Sequence, residues 1–145
     1  MNAQVFRVEY YAIIADDRPG IGGDLGRRLK GEGVNLLALS AFPLTAGKVQ
    51  VDLVPEHSEQ FVRAARKMNL TIGEPKIVFL IRGSDRLGEF GEVLGRLGAA
   101  NVNVRATLGV CSGDHRYGGL LWVNQQDVEL ASRALGATTM ATHHA

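Results

Sequence analysis

One stretch of this chain occurs twice. Asp17 to Leu36, DRPGIGGDLGRRLKGEGVNL, aligns without a gap on Asp85 to Val104, DRLGEFGEVLGRLGAANVNV, with eight of the twenty positions identical. Asp17 matches Asp85, Gly20 matches Gly88, and Asn35 matches Asn103. A duplication of this kind makes the 145 residues two copies of one small unit. A unit of about 70 residues buries only about 60% of its unfolded surface, against near 70% for one of about 150, so two copies folded against each other are expected. The copies divide as residues 1–74 and 75–145. Between them stand only Gly73, Glu74 and Pro75, too few for a flexible tether, so rigid coupling is expected.

Periodicity orders the elements within each copy. Val5 to Ile14 alternates through Phe6, Val8, Tyr10, Ala12 and Ile14 and is β-rich, which predicts a strand. A Pro/Gly turn leads to a helix on which Ile21, Leu25 and Leu29 recur every fourth residue, with Pro19 suited to its first turn. Gly33 closes that helix, and an apolar run from Val34 to Phe42 predicts a second strand. Val49, Val51 and Leu53 predict a third after a turn at Thr45 to Gly47. A helix over His57 to Met68 buries Phe61, Val62, Ala65 and Met68, and Leu70 to Ile72 predicts a closing strand. The second copy repeats the order. Ile77 to Ile81 is its first strand; Phe90, Val93, Leu94 and Leu97 mark a helix; Val102 to Val110 and Leu120 to Val123 are strands; Val128, Ala131 and Leu135 mark the last helix. The tail beyond Thr138 supplies the final strand. Each half therefore reads as a ferredoxin-like βαββαβ unit, and the class is α+β, with antiparallel sheets and helices on one face.

Composition narrows the function classes. At 46% hydrophobic and 21% charged residues the chain reads as globular. No apolar run reaches the roughly 18 residues of a membrane span, and the first residues lack a basic segment followed by an apolar one, so a cytoplasmic protein without a membrane partner is expected. A net charge of +1 gives no general attraction for nucleic acid. The single cysteine, Cys111, forms no intrachain disulfide, which suits a reducing compartment.

Several repeated residues have physical reasons to repeat. Gly20 and Gly88 lie where the first strand hands over to the helix, where a missing Cβ lets the backbone approach a neighbour or ligand. Gly33 is matched by Asn101, and these two residue types best tolerate the left-handed conformation of a helix terminus. Asp17 and Asn35 flank a helix of roughly 12 residues, about 18 Å long, so they cannot form one compact site within a copy. Two copies packed side by side would instead bring Asp17 to Asn103, or Asp85 to Asn35.

On these residues each half resembles an ACT domain, the amino-acid-sensing module of many metabolic enzymes. DRPG, then a helix, then GVNL carries the resemblance; DRLG and NVNV are a degenerate version of it. The resemblance implies paired domains, a homodimer or other homo-oligomer, no cofactor, no catalytic residues, and a small-molecule effector, an amino acid, held at a domain interface to regulate a partner protein. The ligand-binding set it implies is Asp17, Arg18, Pro19, Gly20, Ile21, Gly22, Asn35 and Leu36 in the first copy. In the second it is Asp85, Arg86, Leu87, Gly88, Asn103 and Val104. Serine-binding members carry a histidine two positions before the Asp17 match, where this chain has Ala15 and Gly83, so serine is not the expected ligand. Leu87 replaces Pro19 and Glu89 replaces Ile21, so the two sites are expected to be inequivalent.

Blander readings stand beside these. Asp17 and Asp85 suit helix N-termini, and Asn35 and Asn103 suit turns. The segment Cys111 to Tyr117 brings Ser112, Asp114 and His115 together in sequence, but a triad is defined by geometry, and a hairpin connection is the expected role. Arg116 could neutralise a ligand carboxylate there. The glycines at 20, 22, 23 and 26 miss dinucleotide spacing, and His57, His115, His143 and His144 have no metal spacing with Cys111. Two alternatives to a ligand sensor remain open: a ligand-free assembly module, and a small enzyme on the same scaffold.

Overall fold

The computed structural model describes residues 2–140, so His143 and His144 lie outside the described residues. The described residues form two compact units, 9–76 and, in the other, 2–8 with 77–140. The division differs from a cut at residue 74 mainly at the N-terminus, where the boundary falls inside the first strand, between Val8 and Glu9.

In the first unit the elements are β1 (Gln4–Asp16, from Glu9 onward), α1 (Ile21–Gly31), β2 (Leu36–Pro43), β3 (Lys48–Pro55) and α2 (Ser58–Lys67). The strand order is β2–β3–β1, all antiparallel, with Ile13 opposite Val51 and Ala15 opposite Val49. Alternation sends Tyr11, Ile13, Val49, Val51 and Leu53 to one face, where they form the core with Leu25 and Leu29 of α1 and Phe61 and Ala64 of α2. Both helices thus cover one face of the sheet. Phe61 and Leu53 are fully buried, each contributing about 1.5–3 kcal/mol of transfer free energy.

Leu70 to Ile72 does not form the expected closing strand. Asn69, at φ 53°, ends α2 in the left-handed region, with the Leu70 N–H on Ala65 O at 2.8 Å. A single backbone bond, Gly73 N–H to Ala12 O at 3.2 Å, then joins the segment to β1. Gly73 adds entropy and Pro75 lacks a donor, so a ladder there is disfavoured.

The second unit contains β4 (Lys76–Ser84, from Ile77), α3 (Glu89–Ala99), β5 (Val104–Gly113), β6 (Arg116–Val123), a 3₁₀ turn at Gln125–Asp127, α4 (Val128–Leu135) and β7 (Thr138–Thr139). β5, β6 and β4 form an antiparallel ladder, with Ile81 opposite Gly119 and Gly83 opposite Tyr117. Its core joins Phe79, Ile81 and Leu121 of the sheet to Val93 and Leu97 of α3, Ala131 and Leu135 of α4, and Val5. Leu94, expected on the buried face of α3, is exposed, because that face is carried by Glu89, Val93 and Leu97. The final strand exists beyond Thr138, but it is two residues long and pairs in parallel with the start of β1, Phe6 opposite Thr138.

The sequence repeat is a repeat of backbone geometry. Ile21 N–H reaches Arg18 O at 3.2 Å, and Glu89 N–H reaches Arg86 O at 3.2 Å. Between them Gly20 (φ 90°) and Gly88 (φ 80°) hold the third position of a type II turn. Pro19 therefore occupies the second position of that turn, outside the helix. At the far ends Gly33 (φ 73°) and Asn101 (φ 58°) are both left-handed, with Val34 N–H on Leu29 O at 3.0 Å and Val102 N–H on Leu97 O at 2.9 Å. This is the Schellman closure in both copies.

Candidate functional site

In each unit the Asp-Arg-x-Gly loop is pinned to the hairpin beside it. Asp17 N–H donates to Gly47 O at 2.8 Å, and Asp85 N–H to His115 O at 2.7 Å. The acceptors sit in two-residue turns with positive φ, Ala46–Gly47 and Asp114–His115, as type I′ hairpins require. Ser112, Asp114 and His115 thus belong to an exposed hairpin, and the Asp85 carboxylate beside Cys111 holds its thiol above its ordinary pKa.

The loop of the first unit borders a cavity of about 340 Å³. Its apolar wall comes from Ile13 and Ala15 of β1, Ile21 and Leu25 of α1, Val51 of β3, and Leu70 after α2. Its charged lining is Arg18, Asp24, Arg27 and Arg28. Arg18 Nη2 donates to Asp24 Oδ2 at 2.7 Å, Arg27 donates to the other oxygen of Asp24, and Arg28 Nη2 donates to the Met68 carbonyl at 2.6 Å. Arg18 lies beside Asp24 and holds its carboxyl below the usual carboxylate range, with Arg27 adding to the effect. Size and composition match a small-molecule pocket, apolar with a few convergent polar groups.

The second unit fills the equivalent space with its own side chains. The alignment puts Phe90 where the first copy has Gly22, and strand pairing puts Tyr117 where it has Val49. Their rings meet edge to face at 4.6 Å between centroids. Three glycines make the room: a Cβ on Gly109 would stand 2.2 Å from Phe90, one on Gly83 2.5 Å from Tyr117, and one on Gly119 3.5 Å from Phe90 and 2.8 Å from Leu108 O. Gly83 and Gly119 occupy the places of Ala15 and Val51, two walls of the first unit's cavity. Glu89, at the place of Ile21, is buried and accepts from Asn2 N–H at 3.0 Å, with Arg86 at 3.7 Å.

Of the sequence-expected residues, Arg18 and Ile21 line this cavity. Asp17, Pro19, Gly20 and Gly22 are exposed beside it in the same loop and first helical turn. Asn35 lies at the far end of α1, its Nδ2 donating to Glu56 Oε2 at 2.9 Å, and Leu36 follows it in the β2–β3 ladder. Asp85, Arg86, Leu87 and Gly88 are exposed, Leu87 fully so, as is Asn103; Val104 is half-buried and pairs with Val123. Gly20 and Gly88 are required for their positive φ, since a Cβ on Gly88 would meet nothing within 4 Å and one on Gly20 only the end of Arg18 at 3.8 Å. Sequence reasoning missed Asp24, Arg27, Arg28 and the wall residues other than Ile21. The alignment contains a signal for them: where the second copy gains Phe90 and Tyr117, it loses bulk at Gly83 and Gly119.

No family model matches the sequence, and no curated protein matches it. Solved structures do share its fold. A protein of Bacteroides thetaiotaomicron superposes with a TM-score of 0.71 at 18% identity, covering 92% of this chain and 90% of that one. The regulatory subunit of aspartate kinase from Thermus thermophilus, in its ligand-free form, gives 0.62 at 13% identity over 94% and 95%. The corresponding subunit from Thermus flavus gives 0.59 at 13% identity over the same shares. The fold is ACT-like. At these identities the likeness shows architecture, α+β with βαββαβ-type repeats. Among the described residues no helix is long and apolar enough to cross a membrane, and no group of three or more His, Cys, Asp or Glu is placed to hold a metal ion.

Proposed function

We propose that this chain is a non-catalytic regulatory protein whose two ACT-like units share one task, binding a small effector, an amino acid, in the cavity of the first unit. The observation that carries the reading is the contrast between the units. One keeps a cavity of about 340 Å³ beside the DRPG loop, with guanidinium groups at its edge, and the other packs Phe90 and Tyr117 into the corresponding space. A guanidinium offers paired donors to a carboxylate, and the apolar wall suits an aliphatic stem. Regulation would follow from linkage: an effector that favours one state of the protein shifts association with a partner. That an ACT-like unit of a further copy pairs against this cavity and brings its Asn103 to Asp17, which is exposed beside the cavity, is part of the same proposal. So is a homodimer. The edge strands β2 and β5 expose Leu39 and Phe42, and Leu108 and Val110, apolar positions that suit pairing with a further copy.

A thermal-shift panel of the twenty amino acids tests the reading. A ligand at about 100 times its Kd adds about 2.7 kcal/mol, a shift on the order of 5 °C or more. A selective shift that disappears in Ile21→Trp, which fills the cavity, supports it. No shift from any amino acid at millimolar concentration would overturn it in favour of a ligand-free assembly module.

A further inference from the structure

The charge of the cavity specifies its ligand more narrowly than its size does. Its charged lining is three guanidinium groups and one carboxylate. Asp24 is shared by Arg18 and Arg27. Arg28 spends one donor on a neutral acceptor, the Met68 carbonyl, and has no carboxylate partner among the described residues. Glu32, one turn along the same helix, is held by Lys67 at 3.3 Å. The cavity's lining residues, three arginines against one aspartate, therefore carry a net charge of +2. An arginine presents five donors in a planar fork, so each unmatched guanidinium is a place for a carboxylate.

From this we infer that the ligand is a small dicarboxylate on an aliphatic spine, an acidic amino acid or its amine-free analogue. The inference rests on the proposed function and deepens it. One carboxylate takes Arg28, the other the Arg18–Arg27 pair, and an α-ammonium, where present, takes Asp24. The aliphatic carbons face Ile21, Leu25 and Val51. A basic amino acid adds a third unmatched cation to the same space, which like-charge repulsion opposes. A neutral amino acid, as a zwitterion, leaves the two positive charges in place. The cavity of the first unit thus discriminates by charge count ahead of shape.

Isothermal titration of the full chain with L-aspartate, L-glutamate, succinate, L-lysine, L-leucine and inorganic phosphate tests this. The expected result is binding of the three dicarboxylates, weakened by salt and reduced about tenfold or more by Arg28→Met, which keeps the stem and removes the charge. Arg96→Met, at the matching position of the second unit, is expected to leave binding unchanged. Circular dichroism of each variant confirms that it is folded. If L-lysine or L-leucine binds as tightly as the dicarboxylates, or if Arg28→Met leaves their binding intact, the inference fails while the proposed function stands. Phosphate binding as tightly as succinate would overturn the dicarboxylate assignment in favour of a general anion site. If no amino acid or dicarboxylate binds, both fail.

Discussion

The ring of Phe90 lies where a side chain on Gly109 would be, 2.2 Å from the position of the missing Cβ. Bulk on α3 and its absence on β5 are therefore one feature of the second unit. Gly109→Ala forces the ring or the strand to move, a clash with several ring atoms that a flexible side-chain end would not present. The expected cost is about 1–3 kcal/mol, read as a lower urea midpoint. In the background of Phe90→Ala the same substitution should cost far less. A double-mutant cycle showing additivity would mean the ring does not depend on Gly109.

Tyr117 is the other half of that filling, and its hydroxyl is buried with no hydrogen-bond partner among the described residues. An unpaired buried hydroxyl costs about 1–3 kcal/mol, so Tyr117→Phe should leave stability at neutral pH unchanged or raise it. Burial first, then the charges of Glu89 and Glu92, push its pKa up to about 12. The unfolded chain ionises tyrosine near 10, so above that pH the unfolded state loses a proton that the native state keeps. Stability from this group is present below about pH 10 and is lost as pH rises towards 12. Tyr117→Phe should show a shallower alkaline decline in thermal unfolding.

How much of this was legible in the sequence follows from where the information is local. The turns and helix ends were, because Gly20, Gly33 and Asn101 report backbone conformations that few residues adopt. The helices and the ladder strands were, because Leu25, Leu29 and Ile13, Val51 and Leu53 keep their periods. Leu70 to Ile72 was misread, since an apolar triplet cannot show that Gly73 and Pro75 will deny it a ladder. That the start of β1 packs in the second unit was not legible, because Val5 fits either core by hydrophobicity. The cavity was legible only in part. Arg18 and Ile21 belong to the recognisable loop, whereas Arg27 and Arg28 resemble any solvated helix face until the fold shows what lies beside them.

The Schellman closures give a paired prediction. Gly33 and Asn101 adopt the same left-handed conformation, at φ 73° and 58°. Gly33→Ala places a Cβ in that conformation, 3.4 Å from Gln60 Nε2, and should cost about 1–2 kcal/mol. Asn101→Gly should be neutral or stabilising by a few tenths to about 1 kcal/mol. Chemical denaturation of the two single variants checks the difference in sign, and equal destabilisation by both would contradict the shared geometry.

Asp52 provides the acid-side counterpart to Tyr117. It pairs with Ala12 across the β1–β3 ladder and points away from the core formed by its neighbours Val51 and Leu53. It is 5% exposed and accepts a hydrogen bond from Gln50 Nε2 at 2.9 Å. Burial raises its pKa above the usual carboxylate value; the Gln50 bond and the charge of Lys76 oppose that only in part. The native state therefore holds a proton that the unfolded state has already released near pH 4, and stability falls as pH rises through the native pKa. At neutral pH the chain carries the cost of a buried charge. Asp52→Asn removes the charge and keeps an oxygen for Gln50, so it should raise the melting temperature at pH 7. The gain should shrink on acidification and vanish below about pH 4, where the unfolded carboxylate is also protonated. A melting temperature that falls at pH 7 would mean that Asp52 is stabilised as an anion by Lys76 more than it is penalised by burial.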